Sequence, residues 1–94
     1  MQAAGRAHAE RIGRLVYAQV RGDWLVGEAA RLVAKTPGVE LSLLVARGRA
    51  LGAHCELLSG LFPDPPPDDT EAATAGLIAL NEEIHRYLNR VGWL

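Results

Sequence analysis

The chain has 94 residues, a formal net charge of -1 and 49% hydrophobic residues, with only 5% aromatic. Such a length gives one domain with one modest core, here aliphatic rather than aromatic. The near-neutral charge excludes bulk attraction to nucleic acid or anionic membrane. The longest strictly apolar runs, residues 43–46 and 77–80, fall far short of a membrane span. A single cysteine cannot close an internal disulfide, which fits a reducing, cytoplasmic compartment. No charged segment followed by an apolar run opens the sequence, so no signal peptide is expected.

The first predicted helix covers residues 7–21. Ile12, Leu15, Val16 and Gln19 share one face, and Arg6, Glu10, Arg14, Tyr17 and Arg21 line the other. Glu10 stands four residues before Arg14, the favourable order for a surface pair. Gly22-Asp23 reads as a stop and a new cap. A second helix follows over residues 24–35, with Leu25, Val26, Ala29, Leu32 and Val33 inward and Glu28, Arg31 and Lys35 outward. Thr36-Pro37 then restarts the chain, Thr as cap and Pro at the first helical position.

The third helix, residues 37–59, is apolar nearly all round. Leu41, Leu44, Val45, Leu51 and Leu58 form one stripe, with Gly48, Gly52 and Cys55 along it. Leu43, Ala50, Leu57 and Leu61 form a second stripe on the far side. Such a helix belongs in a core or between partners. Gly48 and Gly52 cost helix stability, about 1 kcal/mol each relative to Ala, and their spacing lets another helix approach closely. "LFPDPPPDD" (residues 61–69) is a stiff, extended spacer, since three consecutive prolines cannot be helix interior. The fourth helix covers residues 69–92. Asp68 and Glu71 imitate a capping box. Ala73, Leu77, Leu80, Asn81, Ile84, Leu88 and Val91 face inward, and Glu82 pairs with Arg86 outside. Trp93-Leu94 adds apolar bulk that tucks against the bundle or a second subunit. No stretch alternates as a strand would.

Charge is unevenly spread. Residues 1–50 carry about +4 and residues 51–94 about -5. Opposite halves of one fold attract each other, or the basic half faces an anionic partner.

Three patterns bear on chemistry. "VGEAARL…TP…LVARGR", within residues 26–49, resembles the helix-turn-helix of excisionase and MerR-type winged-helix domains. The resemblance covers about a quarter of the chain and implies DNA reading, with Lys35, Arg47 and Arg49 on phosphate. The pattern departs from the family where Gly38, Val39, Glu40, Ser42 and Leu43 occupy the positions that should read bases. Also, "ALGAHCELLSG" continues as helix where a wing should begin. "RALGAH" matches the Arg-x4-His pattern of the HEPN ribonucleases, whose resemblance implies a helical dimer with Arg49 on phosphate and His54 in proton transfer. Glu82 and His85 stand at the spacing used in di-iron bundles, but no inward carboxylates complete a set, so no metal and no cofactor is expected. Cys55 lies on the apolar stripe, where a thiol is buried and inert.

These readings give an all-α chain: one compact four-helix domain (a helical bundle) over residues 1–94, with the Pro-rich linker before a long C-terminal helix. The expected function is that of a small non-catalytic interaction or regulatory protein (adaptor, inhibitor, antitoxin-like or immunity-like), acting through a helical surface as a homodimer. No catalytic residue is assigned. Arg14, Arg21, Arg31, Lys35, Arg47 and Arg49 are the candidate partner-binding residues. Leu43, Gly48, Gly52, Leu57, Leu61 and Trp93 are the candidate core or dimer interface. A DNA-binding regulator and a HEPN-like ribonuclease using Arg49 and His54 are the alternatives. No membrane partner is expected.

Overall fold

The computed structural model describes the backbone of residues 2–61 and 69–94. Three helices make up the described chain: α1 (Gln2–Lys35), α2 (Val39–Leu61) and α3 (Asp69–Arg90), with no strand among the described residues. The expected four helices are therefore three, because the first two are continuous. At about 1.5 Å per residue, the 34 residues of α1 span the 51 Å long dimension of the molecule.

Gly22-Asp23 does not stop α1, and the reason lies in packing. Gly22 is buried against α3, and a Cβ there would stand 3.0 Å from Asn81 Oδ1 and 3.4 Å from Leu77 Cδ1. Glycine is retained in mid-helix here because a neighbouring helix presses on it. One turn earlier, Asn81 Nδ2 donates to the Ala18 carbonyl at 3.1 Å.

The turn between α1 and α2 follows from Pro37. Proline disfavours helical backbone at the residue before it, so α1 ends at Lys35, with Thr36 N–H donating to Leu32 O at 2.7 Å. Gly38, rather than Thr36, caps α2: its carbonyl accepts from Ser42 N–H at 3.0 Å. Pro37 thus precedes α2 instead of opening it. At the other end, Gly92 takes φ 77°. Trp93 N–H donates to Leu88 O and Gly92 N–H to Asn89 O, the paired bonds of a Schellman cap. The proline-rich residues 62–68, with the expected spacer and Asp68 cap, lie outside the described residues.

α1 and α3 run parallel, with α2 antiparallel to both. Arg14 meets Glu71 and Glu28 meets Trp93 in ascending order, whereas Glu40 meets Arg90 and Cys55 meets Ala73 in descending order. The core has two parts. One joins Leu25, Ala29, Leu41, Leu44, Val45, Leu80, Ile84 and Leu88; the other joins Leu15, Ala18, Cys55, Ala73 and Leu77. Leu51 packs against both. The inward stripe expected for the C-terminal helix is buried except for Val91, which is exposed. No described helix is long and apolar enough to cross a membrane.

Candidate functional site

Most described basic residues of the N-terminal half lie in ion pairs within the chain. Arg11 and Arg14 both reach Glu71, at 3.2 and 3.4 Å. Arg21 meets Glu82 at 3.2 Å and Arg47 meets Glu83 at 3.4 Å, so α1 and α2 spend their positive charge on α3. Glu82 therefore pairs with Arg21 rather than Arg86, and Arg14 with Glu71 rather than Glu10. Arg31 lies 3.2 Å from Glu28 of its own helix. Lys35 stands over the Trp93 ring, 5.4 Å from its centroid, within cation–π range. Of the six candidate partner-binding residues, Arg49 alone has no ion-pair or ring partner among the described residues.

The described candidate interface residues divide among four places. Gly48 is buried inside the chain, where a Cβ would stand 2.5 Å from Val26 Cγ2. Trp93 is half-buried over the core, its Nε1 donating to Glu28 Oε2 at 3.0 Å. Leu43 and Leu57 remain outside, 58% and 64% exposed. They lie on one line of α2 with exposed Ala50, at seven-residue spacing. Gly52 borders a groove and has open space where a Cβ would be. The side chain of Leu61 lies outside the described ones.

The groove beside Gly52 was not foreseen. It runs between α1 and α2 as two adjoining hollows of about 550 and 310 Å³ that share Arg49. No described residue of α3 lines it. On α1 it is lined by Val16, Gln19, Val20, Asp23, Val26, Gly27, Ala30, Val33 and Ala34; on α2 by Ser42, Val45, Ala46, Gly48, Arg49, Gly52, Ala53 and Glu56. Within each wall one row alternates steps of four and three residues (Val16, Val20, Asp23, Gly27, Ala30, Ala34 on α1; Ser42, Ala46, Arg49, Ala53, Glu56 on α2), the spacing of a helix seam that faces another helix. The signal was present in the sequence, but the apparent break at Gly22-Asp23 cut the α1 series in two. Val20 and Trp24 on this side of α1 are 66% and 54% exposed.

Other polar groups do not converge. Arg49 and His54 are both exposed, and five helical steps turn them about 140° apart around α2. No group of three potential metal ligands exists among the described residues. Cys55 is fully buried, with its thiol 3.8 Å from the Ala73 carbonyl, and desolvation raises its pKa. The Thr70 hydroxyl is buried without a hydrogen-bond partner beside a hollow lined by Arg11, Arg14 and Glu71. Both of those guanidinium groups are already held by Glu71.

Comparison with family models, with curated proteins and with solved structures finds no match.

Proposed function

We propose that this chain is a small non-catalytic interaction protein of a regulatory kind, which works as a homodimer and binds a protein partner through its helix faces. The observation that carries this reading is the pair Leu43 and Leu57, both more than half exposed on the same line of α2. Burying a leucine side chain is worth about 1.5–3 kcal/mol. Two held open on one helix, with Ala50 between them, form a face suited to association. The exposed Val20 and Trp24 of α1 add a second apolar face.

The two other readings draw less support. For a DNA reader, residues 26–49 form the end of α1, a short turn and the start of a 23-residue α2. Arg47 is taken up by Glu83, and Lys35 by Trp93. For a ribonuclease, the 140° separation of Arg49 and His54 keeps them from acting on one phosphate within a single chain.

The test is partner capture by the purified protein from lysate of its source, compared with the Leu43→Glu/Leu57→Glu variant. A protein retained by the parent and lost in the variant, at unchanged helicity, supports the reading. Identical retention by both, or no specific retention, contradicts it.

A further inference from the structure

The reading as a homodimer leaves open which surface joins the copies, and the following rests on that reading. We propose that the α1–α2 groove of one chain is filled by the same groove of a second copy, so that α1 and α2 of both copies form a four-helix arrangement. In it, Arg49 of each copy meets Asp23 of the other.

Charge is the first argument. Arg11, Arg14, Arg21, Arg47 and Arg90 all have carboxylate partners within the chain. Arg49 and Asp23 have none among the described residues, although they line the same groove from opposite walls. A groove with one unmatched charge of each sign, one per wall, is complementary to itself. Self-complementarity is what a two-fold interface requires, because each patch must meet its own copy.

Height along the helices is the second argument. Gly48 faces Val26 across the helix pair. Counting antiparallel from that contact places Asp23 opposite position 51, two residues or about 3 Å along the axis from Arg49. A two-fold axis parallel to the helices sets each α1 against the second copy's α2 at nearly equal height. Every neighbouring pair of helices is then antiparallel, and the two Arg49–Asp23 pairs form together.

Room is the third. Gly27 and Gly52 have nothing within 4 Å of where a Cβ would be. Small residues on the walls permit close helix approach, and Val16 and Val20 supply the apolar side chains that fill the hollow of the opposite copy.

The test is a charge exchange followed by sedimentation velocity, with circular dichroism confirming the fold of each variant. The wild type is expected to be a dimer. Asp23→Arg alone and Arg49→Asp alone place like charges face to face and should raise the dissociation constant about a hundredfold. The double variant Asp23→Arg/Arg49→Asp should recover the dimer. A mixture of the two single variants should form heterodimers, since one chain then carries both positive charges and the other both negative. A monomeric wild type overturns the proposal together with the homodimer reading. A dimer indifferent to the single changes overturns the proposal alone, leaving another face as the interface. Single variants that stay monomeric when mixed overturn it as well.

Discussion

Asp23 of α1 and Arg49 of α2 stand on opposite walls of one groove, and neither has an ion-pair partner among the described residues. Several other charges are matched across helices: Arg21 with Glu82, Arg47 with Glu83, Glu40 with Arg90. Each of those pairs is well exposed to solvent and contributes little, about 0–1 kcal/mol. Their effect is to remove most of the positive charge from the surface that an anionic partner would see. What remains on the α1–α2 side is a shallow groove with small residues and one uncommitted charge per wall.

Glycine substitutions should separate close packing from helix propensity. A Cβ at Gly48 would stand 2.5 Å from Val26 Cγ2, and a β-branched neighbour has few alternative rotamers. Gly48→Ala is expected to lower stability by about 1–2 kcal/mol, the overpacking cost exceeding the propensity gain. Gly13 sits exposed in α1 with nothing within 4 Å, so Gly13→Ala is expected to raise stability by about 0.5–1 kcal/mol. Urea unfolding at one fixed protein concentration measures both, since the stability of a self-associating chain, as proposed here, would depend on concentration. The reverse order would contradict the packing described.

Much of this packing was legible in the sequence. The stripe Ala73, Leu77, Leu80, Asn81, Ile84, Leu88 follows helical periodicity, and all six residues are buried. Leu41, Leu44 and Val45 behave likewise. What periodicity could not show is that Gly22 is a contact point rather than a stop. That depends on Asn81, 59 positions away in sequence, and no local signal carries it. The α1–α2 groove was hidden by the same apparent stop, because its α1 wall continues through Asp23 on the opposite side of the helix from the Gly22 contact. The pairing of charges was legible only as two halves of opposite sign. Sequence spacing favoured Glu82 with Arg86, but the neighbouring helix brings Arg21 to Glu82 instead.

The two tryptophans should respond differently to solvent probes. Trp24 is 54% exposed, whereas Trp93 is half-buried, bonded to Glu28 and covered by Lys35. Trp93→Ala is expected to cost about 2 kcal/mol, less than a full core aromatic at about 3–5. At high dilution the fluorescence of Trp93→Phe, which reports Trp24, should be quenched readily by acrylamide. That of Trp24→Phe should resist. Equal quenching would place Trp93 off the core.

Cys55 gives a pH dependence. Burial raises its pKa above the ordinary thiol value, because the interior solvates a thiolate poorly. The unfolded chain therefore releases this proton first as pH rises. Stability is unaffected below the unfolded value and falls as pH climbs through it, from about 8.5 upward. Cys55→Ser or Cys55→Ala should flatten that decline, measured by thermal unfolding between pH 7 and 10 (chosen to bracket the thiol). At pH 8 a thiol reagent should label native Cys55 far more slowly than unfolded chain. Rapid native labelling would contradict the burial.

Duplex DNA should bind weakly at most. Steep salt dependence arises when lysines and arginines displace counterions from phosphates, and here Arg14, Arg21 and Arg47 are paired with acids of α3. A mobility shift at physiological salt is expected to show no complex at micromolar protein. A salt-steep complex abolished by Lys35→Ala/Arg47→Ala/Arg49→Ala would restore the DNA-binding reading.

The mass of the wild-type protein in solution tests the proposed homodimer most directly. Light scattering across a micromolar concentration range is expected to give twice the 10.1 kDa of the chain, declining toward the single-chain value only on dilution. A mass of one chain throughout that range would contradict it.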